Sequence, residues 1–374
     1  MHLTGEHIEA ILGRPREAMA PLTLAGAFAG KRVLVTGAGG SIGRALALRL
    51  AGLGCARLSL LDNSDHNLID TLDALSEAQA RGKTGLRGPQ IVDVLCDVRE
   101  RGRLTRAFQA ERPDVVIHAA ALKHVHFGDR HPAESVLTNL VGVSNAVEAL
   151  RETGGGRFVL VSTDKAASPV SVMGATKRLA ELYVRSVDAE GGAVRANAVR
   201  FGNVFGTRGS VVPLFAGQIA AGGPVRITHR DMERYFMLLD EAVDLLLRAA
   251  SRAPETAGES PILLMEMGRP IKIEDMARRM IAVLAPGQDI EIVFTGLREG
   301  EKLTEQLSDE HETLLSSGDD GLWRIQPVAA GGRVNARVIA DLETAARGAS
   351  DTVVRQRLFG ALDDALGRLT EAAG

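Results

Sequence analysis

Cysteine, tyrosine and net charge are all scarce in this 374-residue chain, and each scarcity removes a class of protein. The two cysteines, Cys55 and Cys96, cannot frame a disulfide scaffold. Both fall in or beside expected βα units and read as buried thiols of a reducing compartment, so the expected location is the cytoplasm. A net charge of -3 provides no field to gather nucleic acid or anionic lipid. No nucleic-acid partner is expected, and an anionic ligand has to be gripped by local groups. No apolar run reaches bilayer-spanning length, and an N-terminus carrying His2, Glu6, His7 and Glu9 does not look like a secretory signal; membrane insertion is not expected. Tyr183 and Tyr235 are the only tyrosines, which leaves a tyrosine acid or base just two places to sit.

What the chain has in quantity is short apolar runs that end in small or acidic residues. Arg32-Val33-Leu34-Val35 predicts a strand, and Thr36 to Gly43 predicts the turn into a helix that runs to about Leu53. Gly37, Gly40 and Gly43, with Ser41 and Ile42 between the last two, keep a Gly-x-x-Gly-x-x-Gly spacing. That spacing suits a tight turn, a close approach of main chain to a pyrophosphate, and a helix N-terminus aimed at the charge. Glycine also suits any sharp turn, but the strand before and the helix after favour a nucleotide. A second strand, Arg57 to Leu61, ends in Asp62-Asn63, nineteen residues beyond Gly43, where an acid accepts from the adenosine ribose hydroxyls. No Arg or Lys lies between Leu58 and Thr71 to offset repulsion of a 2′-phosphate, so the expected cofactor is NAD and not NADP. A third strand, Ile91 to Cys96, delivers Asp97-Val98 to the adenine. A fourth, Asp114 to His118, runs into Ala119-Ala120-Ala121-Leu122-Lys123, where small side chains let a cofactor lie against the backbone. A helix through Ser135 to Leu150 carries Asn139.

The stretch from Val159 to Lys177 organises the rest. Its apolar run ends in Ser162, Thr163, Asp164 and Lys165, a hydroxyl, acid and amine cluster where reacting groups sit in an open α/β sheet. A loop containing Pro169 leads to a helix beginning near Ser171, on which Met173 and Lys177 share a face. The same residues would serve equally to solvate a strand end and cap a helix. Alternation of this kind predicts an α/β fold with a doubly wound parallel, Rossmann-type sheet. The expected division is an appendage at 1–30, the dinucleotide domain at 31–204, a smaller mixed substrate-binding region at 205–322, and a strand and amphipathic helix at 323–374 without evident chemistry.

The glycine turn, Ala119 to Lys123 and Lys177 resemble the extended short-chain dehydrogenase/reductase superfamily. Within it, Ser162 to Lys165, Val172 to Lys177, Arg200 to Val204, Arg234 to Met237 and Thr295 to Leu303 resemble the polysaccharide-biosynthesis nucleotide-sugar 4,6-dehydratases, the UDP-N-acetylglucosamine 4,6-dehydratase group. Leu12-Gly13-Arg14 resembles the linker that precedes the catalytic domain of long membrane-bound members, so the expectation is a soluble form. The resemblance implies oxidation of a UDP-sugar at C4 by bound NAD, loss of water across C5 and C6, and return of the hydride to C6, in the service of surface-glycan synthesis. It gives Lys165 the role of C5 base, Asp164 that of C6 acid, and Thr163 that of holding the C4 oxygen. Both neighbours reach one sugar only if the strand has given way to loop at Asp164. The superfamily's tyrosine, four residues before the lysine, is replaced by Met173, which has no proton to exchange and points to one subgroup.

A UDP-sugar also needs groups for its diphosphate. Asn203 and Arg298 are the main candidates, with Arg208, Arg234 and Lys302 behind them, because a guanidinium grips two phosphate oxygens at once. Lys123 and His126 should lie near the sugar, the latter in a segment, His126 to Asp129, that departs from the family pattern. No metal is expected from His118, His124, His126 and His131. A homo-oligomer is expected, paired through helices near 138–151 and 173–187. Two other functions fit the glycine turn: a nucleotide-sugar 4-epimerase or 4-ketoreductase, and a non-catalytic NAD-sensing scaffold.

Overall fold

The alternation that begins at Lys31 is realised in the computed structural model of the chain, which describes residues 3–14, 24, 26–82, 88–251, 262–316, 322–327 and 333–367. A short helix comes first, α1 (Gly5–Leu12), with the Thr4 hydroxyl accepting from the His7 amide; much of the strap expected after it lies outside the described residues. The dinucleotide half then runs β1 (Arg32–Thr36), α2 (Ser41–Leu50), β2 (Arg57–Asp62), α3 (Asp65–Ala80), β3 (Gln90–Leu95), α4 (Arg101–Glu111) and β4 (Val115–His118). Two short helices, α5 (Val125–Arg130) and α6 (Pro132–Val136), lead through a π-turn at Leu137–Val141 into α7 (Gly142–Glu152). After these come β5 (Gly156–Thr163), α8 (Val172–Ala189) and β6 (Val194–Phe201). The second half comprises β7 (Asn203–Val204), α9 (Val211–Ala220), β8 (Val225–Ile227), β9 (Glu233–Arg234), β10 (Phe236–Met237), α10 (Leu239–Ser251), β11 (Ile262–Met265), β12 (Ile271–Lys272), α11 (Ile273–Leu284) and β13 (Ile292–Phe294). The chain continues with β14 (Glu312–Ser316), β15 (Leu322–Pro327), α12 (Ala336–Gly348) and α13 (Asp351–Leu366). Residues 368 and 369 of the last expected helix lie outside the described residues.

One sheet carries the order β14-β15-β11-β6-β5-β4-β1-β2-β3. From β11 to β3 every pairing is parallel, and β15 and β14 extend the sheet antiparallel. Strands such as β4, buried at all four residues, are apolar on both faces because helices cover both. The order reverses between β1 and β4, which opens a crevice at their carboxyl ends.

The cores do not divide where the chain was expected to. The larger cluster contains the sheet, and also α10, β11 and the inner faces of α12 and α13. The smaller gathers Ile11 and Leu12 of α1 with Phe205, Phe215, Phe236, Met276 and their neighbours. The reason is that 205–322 crosses back into the sheet through β11, and the C-terminal helices cover α8 and α6. That cover also corrects the pairing expected for α8: sixteen of its residues, Val172 to Val184 and Ser186 to Asp188, are already buried within the chain.

Candidate active site

At the carboxyl end of β1 the main chain turns sharply. Gly37 has φ +66°, and a methyl group there would lie 2.7 Å from the Ala120 nitrogen, so only glycine lets the two loops meet. At Gly43 a side chain would collide with the Gly37 carbonyl, so α2 can pack directly on the turn. The N-cap of α2 is Gly40, and no side chain caps it, so the helix dipole faces the crevice with amide donors available to an anion. Ser41, Ile42 and Gly43 form that first turn. Asp62, at the end of β2, accepts from the amides of Gly39 (2.9 Å) and Ser64 (3.0 Å), which fixes its carboxylate at the rim.

A cavity of about 400 Å³ occupies the crevice. Gly37, Gly40, Asp62, Asn63, Asp97 and Val98 line it, as do Ala119, Ala120 and Ala121. Asn139 does not: it is fully buried and brackets Leu122, accepting from its amide at 2.8 Å and donating to its carbonyl at 3.0 Å, so it positions the alanine loop from behind. Arg99 and Glu134, which the sequence reading missed, also line the cavity. The Arg99 guanidinium spans both Asp97 oxygens and reaches Glu134 at 2.5 Å, which holds the Asp97 carboxyl below its ordinary range against the effect of burial. Only the two-residue spacing from Asp97 could have signalled it.

The reacting half lies at the end of β5. The strand stops at Thr163 and a single 3₁₀ turn, Asp164–Ala166, follows, so neighbouring side chains turn to the same side. Lys165 Nζ lies 2.9 Å from Asp164 Oδ1, which also accepts from the Thr163 hydroxyl at 2.9 Å, and 3.3 Å from Asn203 Oδ1. Asp164 is fully buried, with Oδ2 unpartnered, while 18% of the Lys165 side chain is exposed. Lysine is therefore the open member of the pair. Met173 is buried in the first turn of α8. One turn on, Lys177 Nζ donates to the Val161 carbonyl at 2.5 Å, and burial brings its pKa down to about 8, with Glu181 opposing. His118, equally buried, is brought to about 3, its Nδ1 3.0 Å from the Thr36 hydroxyl, while His124, His126 and His131 surround the Phe127 ring.

The sequence from residue 33 to 326 matches the family model for polysaccharide biosynthesis proteins. The chain belongs to that family, within the extended short-chain dehydrogenase/reductases. It is 38% identical over 306 residues to the capsular polysaccharide biosynthesis protein CapD of Staphylococcus aureus, covering 82% of this chain but 49% of that protein, so it spans about half the relative's length. With a UDP-N-acetylglucosamine 4,6-dehydratase (inverting) of Campylobacter jejuni it shares 33% identity over 298 residues, 79% of this chain and 80% of that one. A UDP-glucose 4-epimerase of Rickettsia akari is 30% identical over 301 residues, 80% of this chain and 83% of that one. Among solved structures, Pen from Bacillus thuringiensis superposes with a TM-score of 0.71 at 30% identity, covering 83% of this chain and 91% of that one. Among the described residues no helix is long and apolar enough to cross a membrane.

In this polysaccharide-biosynthesis protein several cations expected at a diphosphate are engaged elsewhere. Arg234 is buried, its guanidinium tied to the carbonyls of Glu233, Lys302 and Leu303 at 2.6 to 2.9 Å. Lys302 Nζ donates to the carbonyls of Ala167 (3.1 Å) and Ser168 (2.6 Å), and Ser168 has φ +44° although Pro169 follows, so the lysine secures a costly bend beside the Asp164–Ala166 turn. Arg208 faces the dinucleotide half: its amide donates to Ser41 Oγ, its guanidinium meets Asn67 and Asp70 of α3, and Lys123 Nζ donates to its carbonyl at 2.5 Å. Arg298 lies on an exposed loop, where its amide donates to Glu301 Oε2 at 3.2 Å, and Asn203 lies beside Lys165.

Proposed function

We propose that this protein is a UDP-N-acetylhexosamine 4,6-dehydratase that retains NAD through each turnover. The observation that carries the reading is the Thr163-Asp164-Lys165 turn, which puts a hydroxyl and a partly exposed amine each 2.9 Å from one oxygen of a buried acid beside a glycine-turn crevice. The similarity to the Campylobacter dehydratase supports it. The crevice fits a dinucleotide because it offers an uncapped helix N-terminus, a main chain stripped of side chains at Gly37, and an oriented carboxylate at Asp62. Gly37, Gly40, Ser41 and Asp62 would hold NAD there, and the cofactor would supply the redox chemistry, reversible hydride exchange with the sugar at C4 and C6.

The residues do the rest. Thr163, donating to Asp164, holds the C4 oxygen, whose proton passes to water on oxidation, and Lys177 would hold the nicotinamide ribose. Lys165 takes the C5 proton, made acidic by the C4 ketone, and Asp164 protonates the departing C6 hydroxyl. Met173 exchanges no proton. The test is incubation with UDP-N-acetylglucosamine and no added cofactor. A product lighter by one water and carrying a 4-keto group is expected, whereas unreacted sugar would overturn the reading. A second reading, UDP-sugar 4-epimerase, is favoured by the Rickettsia relative and would give an isomer of unchanged mass.

A further inference from the structure

A second carboxylate stands on the far side of Lys165. Glu305 is 5% exposed, and its Oε1 lies 3.7 Å from Lys165 Nζ and 3.8 Å from the Arg234 guanidinium, while its Oε2 is buried without a partner. A buried carboxylate oxygen without a donor is costly, and native folds keep few of them. The loop that carries it needs no such group for its own anchoring. Arg234 already binds the carbonyls of Lys302 and Leu303, Lys302 binds those of Ala167 and Ser168, and Thr304 bridges to Glu233.

We propose that Glu305 is a positioning residue for the dehydration: together with Asp164 it brackets the Lys165 amine and sets the condition under which that amine can take the C5 proton. The inference rests on the dehydratase reading. At rest the ammonium lies between two carboxylates. One N–H bond breaks and an O–H bond forms on Asp164, which yields the neutral amine and the carboxylic acid together. The amine lone pair then takes the C5 proton, the C5–H electrons become the C5–C6 double bond, and the C6–O bond breaks as Asp164 gives its proton to the departing water. The pair returns to ammonium and carboxylate. Glu305 keeps its charge throughout and stabilises the ammonium as it re-forms, which strengthens the amine as a base and raises the pH at which it becomes free.

The charges around Lys165 support this division. Asp164 faces it from its own turn, Glu305 and Lys302 from the loop after β13, and Arg234 from β9, with neutral Asn203 completing the ring. Burial pulls the amine down, but Asp164 and then Glu305 more than reverse it, so the lysine ends above its ordinary pKa. Removing the Glu305 charge also leaves Arg234 without its counter-ion, which lowers the amine further.

The full-length protein carrying ¹³C-labelled lysine tests the proposal, with the Lys165 ¹³Cε signal assigned from Lys165→Arg. In Glu305→Gln the titration midpoint of that signal should fall by about one pH unit or more. The falling limb of the dehydration pH profile, where the pair loses its one shared proton and Asp164 has none to give the C6 hydroxyl, should move down by the same amount. Glu305→Asp, which keeps the charge, should restore part of both shifts, and it stands in if the glutamine variant does not fold. An unmoved midpoint overturns the proposal. So does a moved midpoint with an unmoved pH profile, which would leave Glu305 a structural group. If the wild-type protein dehydrates nothing, the proposed function falls, and the NMR titration still decides whether Glu305 governs the amine.

Discussion

Around Gly37 the cleft has a floor of small residues, Gly37, Gly40 and Ala119 to Ala121, with the charges of Asp62, Asp97, Arg99 and Glu134 in its walls, whereas around Lys165 charged side-chain ends meet from the turn after β5, from β9 and from the loop after β13. The glycine turn of the first half is laid down by consecutive residues and needs only β1 and α2 to form. The second exists only once residues 164, 234 and 305 have been brought together by the completed fold. A dinucleotide crevice can therefore be inherited unchanged while the chemistry beside it varies, which agrees with dehydratases and epimerases both appearing among the relatives.

The comparison predicts that the halves can be broken separately. Lys165→Ala should lower dehydration by about 10²- to 10⁴-fold, the range for removing a positioned base, while NAD released on denaturing the protein stays at the wild-type amount. Loss of both together would show that the reacting cluster also shapes the crevice.

The same contrast explains how much was legible from the sequence. The parallel sheet, the strand, turn and helix from Arg32 to Leu50 and the helix that carries Met173 and Lys177 follow from local periodicity and spacing, and the structure reproduces them. Arg208, Arg234 and Lys302 were legible as cations but not by destination. A cation's partner is settled by tertiary approach, and here buried carbonyls and α3 reached them first. Glu305 and Arg99 carried no periodic signal. Helix α12 went unseen, as did the route by which β11 re-enters the sheet, because packing against distant elements decides both.

A buried charge network ties the segment from Leu307 to Glu312 to α8 and β6. Arg200 donates to Glu181 from Nε and Nη2 and to Glu312 from Nη1 and Nη2, and Arg178 reaches Glu312 and Asp309. Burial would raise the Glu312 carboxyl, but Arg200 and then Arg178 bring it down to about 2. Its folded pKa lies below the ordinary value of 4.5, so its contribution is complete above that pH and is lost as pH falls toward 2. Glu312→Ala takes one carboxylate from each of two buried guanidinium groups, which keep Glu181 and Asp309, and should cost about 3 kcal/mol in denaturant unfolding at neutral pH. That cost should shrink through the acid window, and a cost that stayed flat with pH would remove the network from the account.

On the backbone-built side the sensitive point is a contact and not a charge. Gly43→Ala forces the new methyl against the Gly37 carbonyl, so α2 has to lift from the turn and carry its amides away from the pyrophosphate. Retained NAD should fall about tenfold, with no movement in the pH profile of whatever turnover remains. A shifted profile would mean that the two halves are coupled through α2.

The smallest effect is expected where the halves touch. The Arg208 loop lies over the first turn of α2, held by Ser41, by Asp70 on α3 and by Lys123 from the alanine loop. Its guanidinium is mostly exposed, and an exposed pair contributes little to stability, so Arg208→Ala should leave unfolding unchanged. The Ser41 and Lys123 contacts are made by the Arg208 main chain and survive the substitution, and only the tether to α3 is lost. NAD should then exchange about two- to fivefold faster, measured by displacement with labelled cofactor, and faster still in high salt for the wild type alone, where screening weakens the same tether. A loss of dehydration larger than the gain in exchange would instead put the Arg208 side chain at the substrate diphosphate.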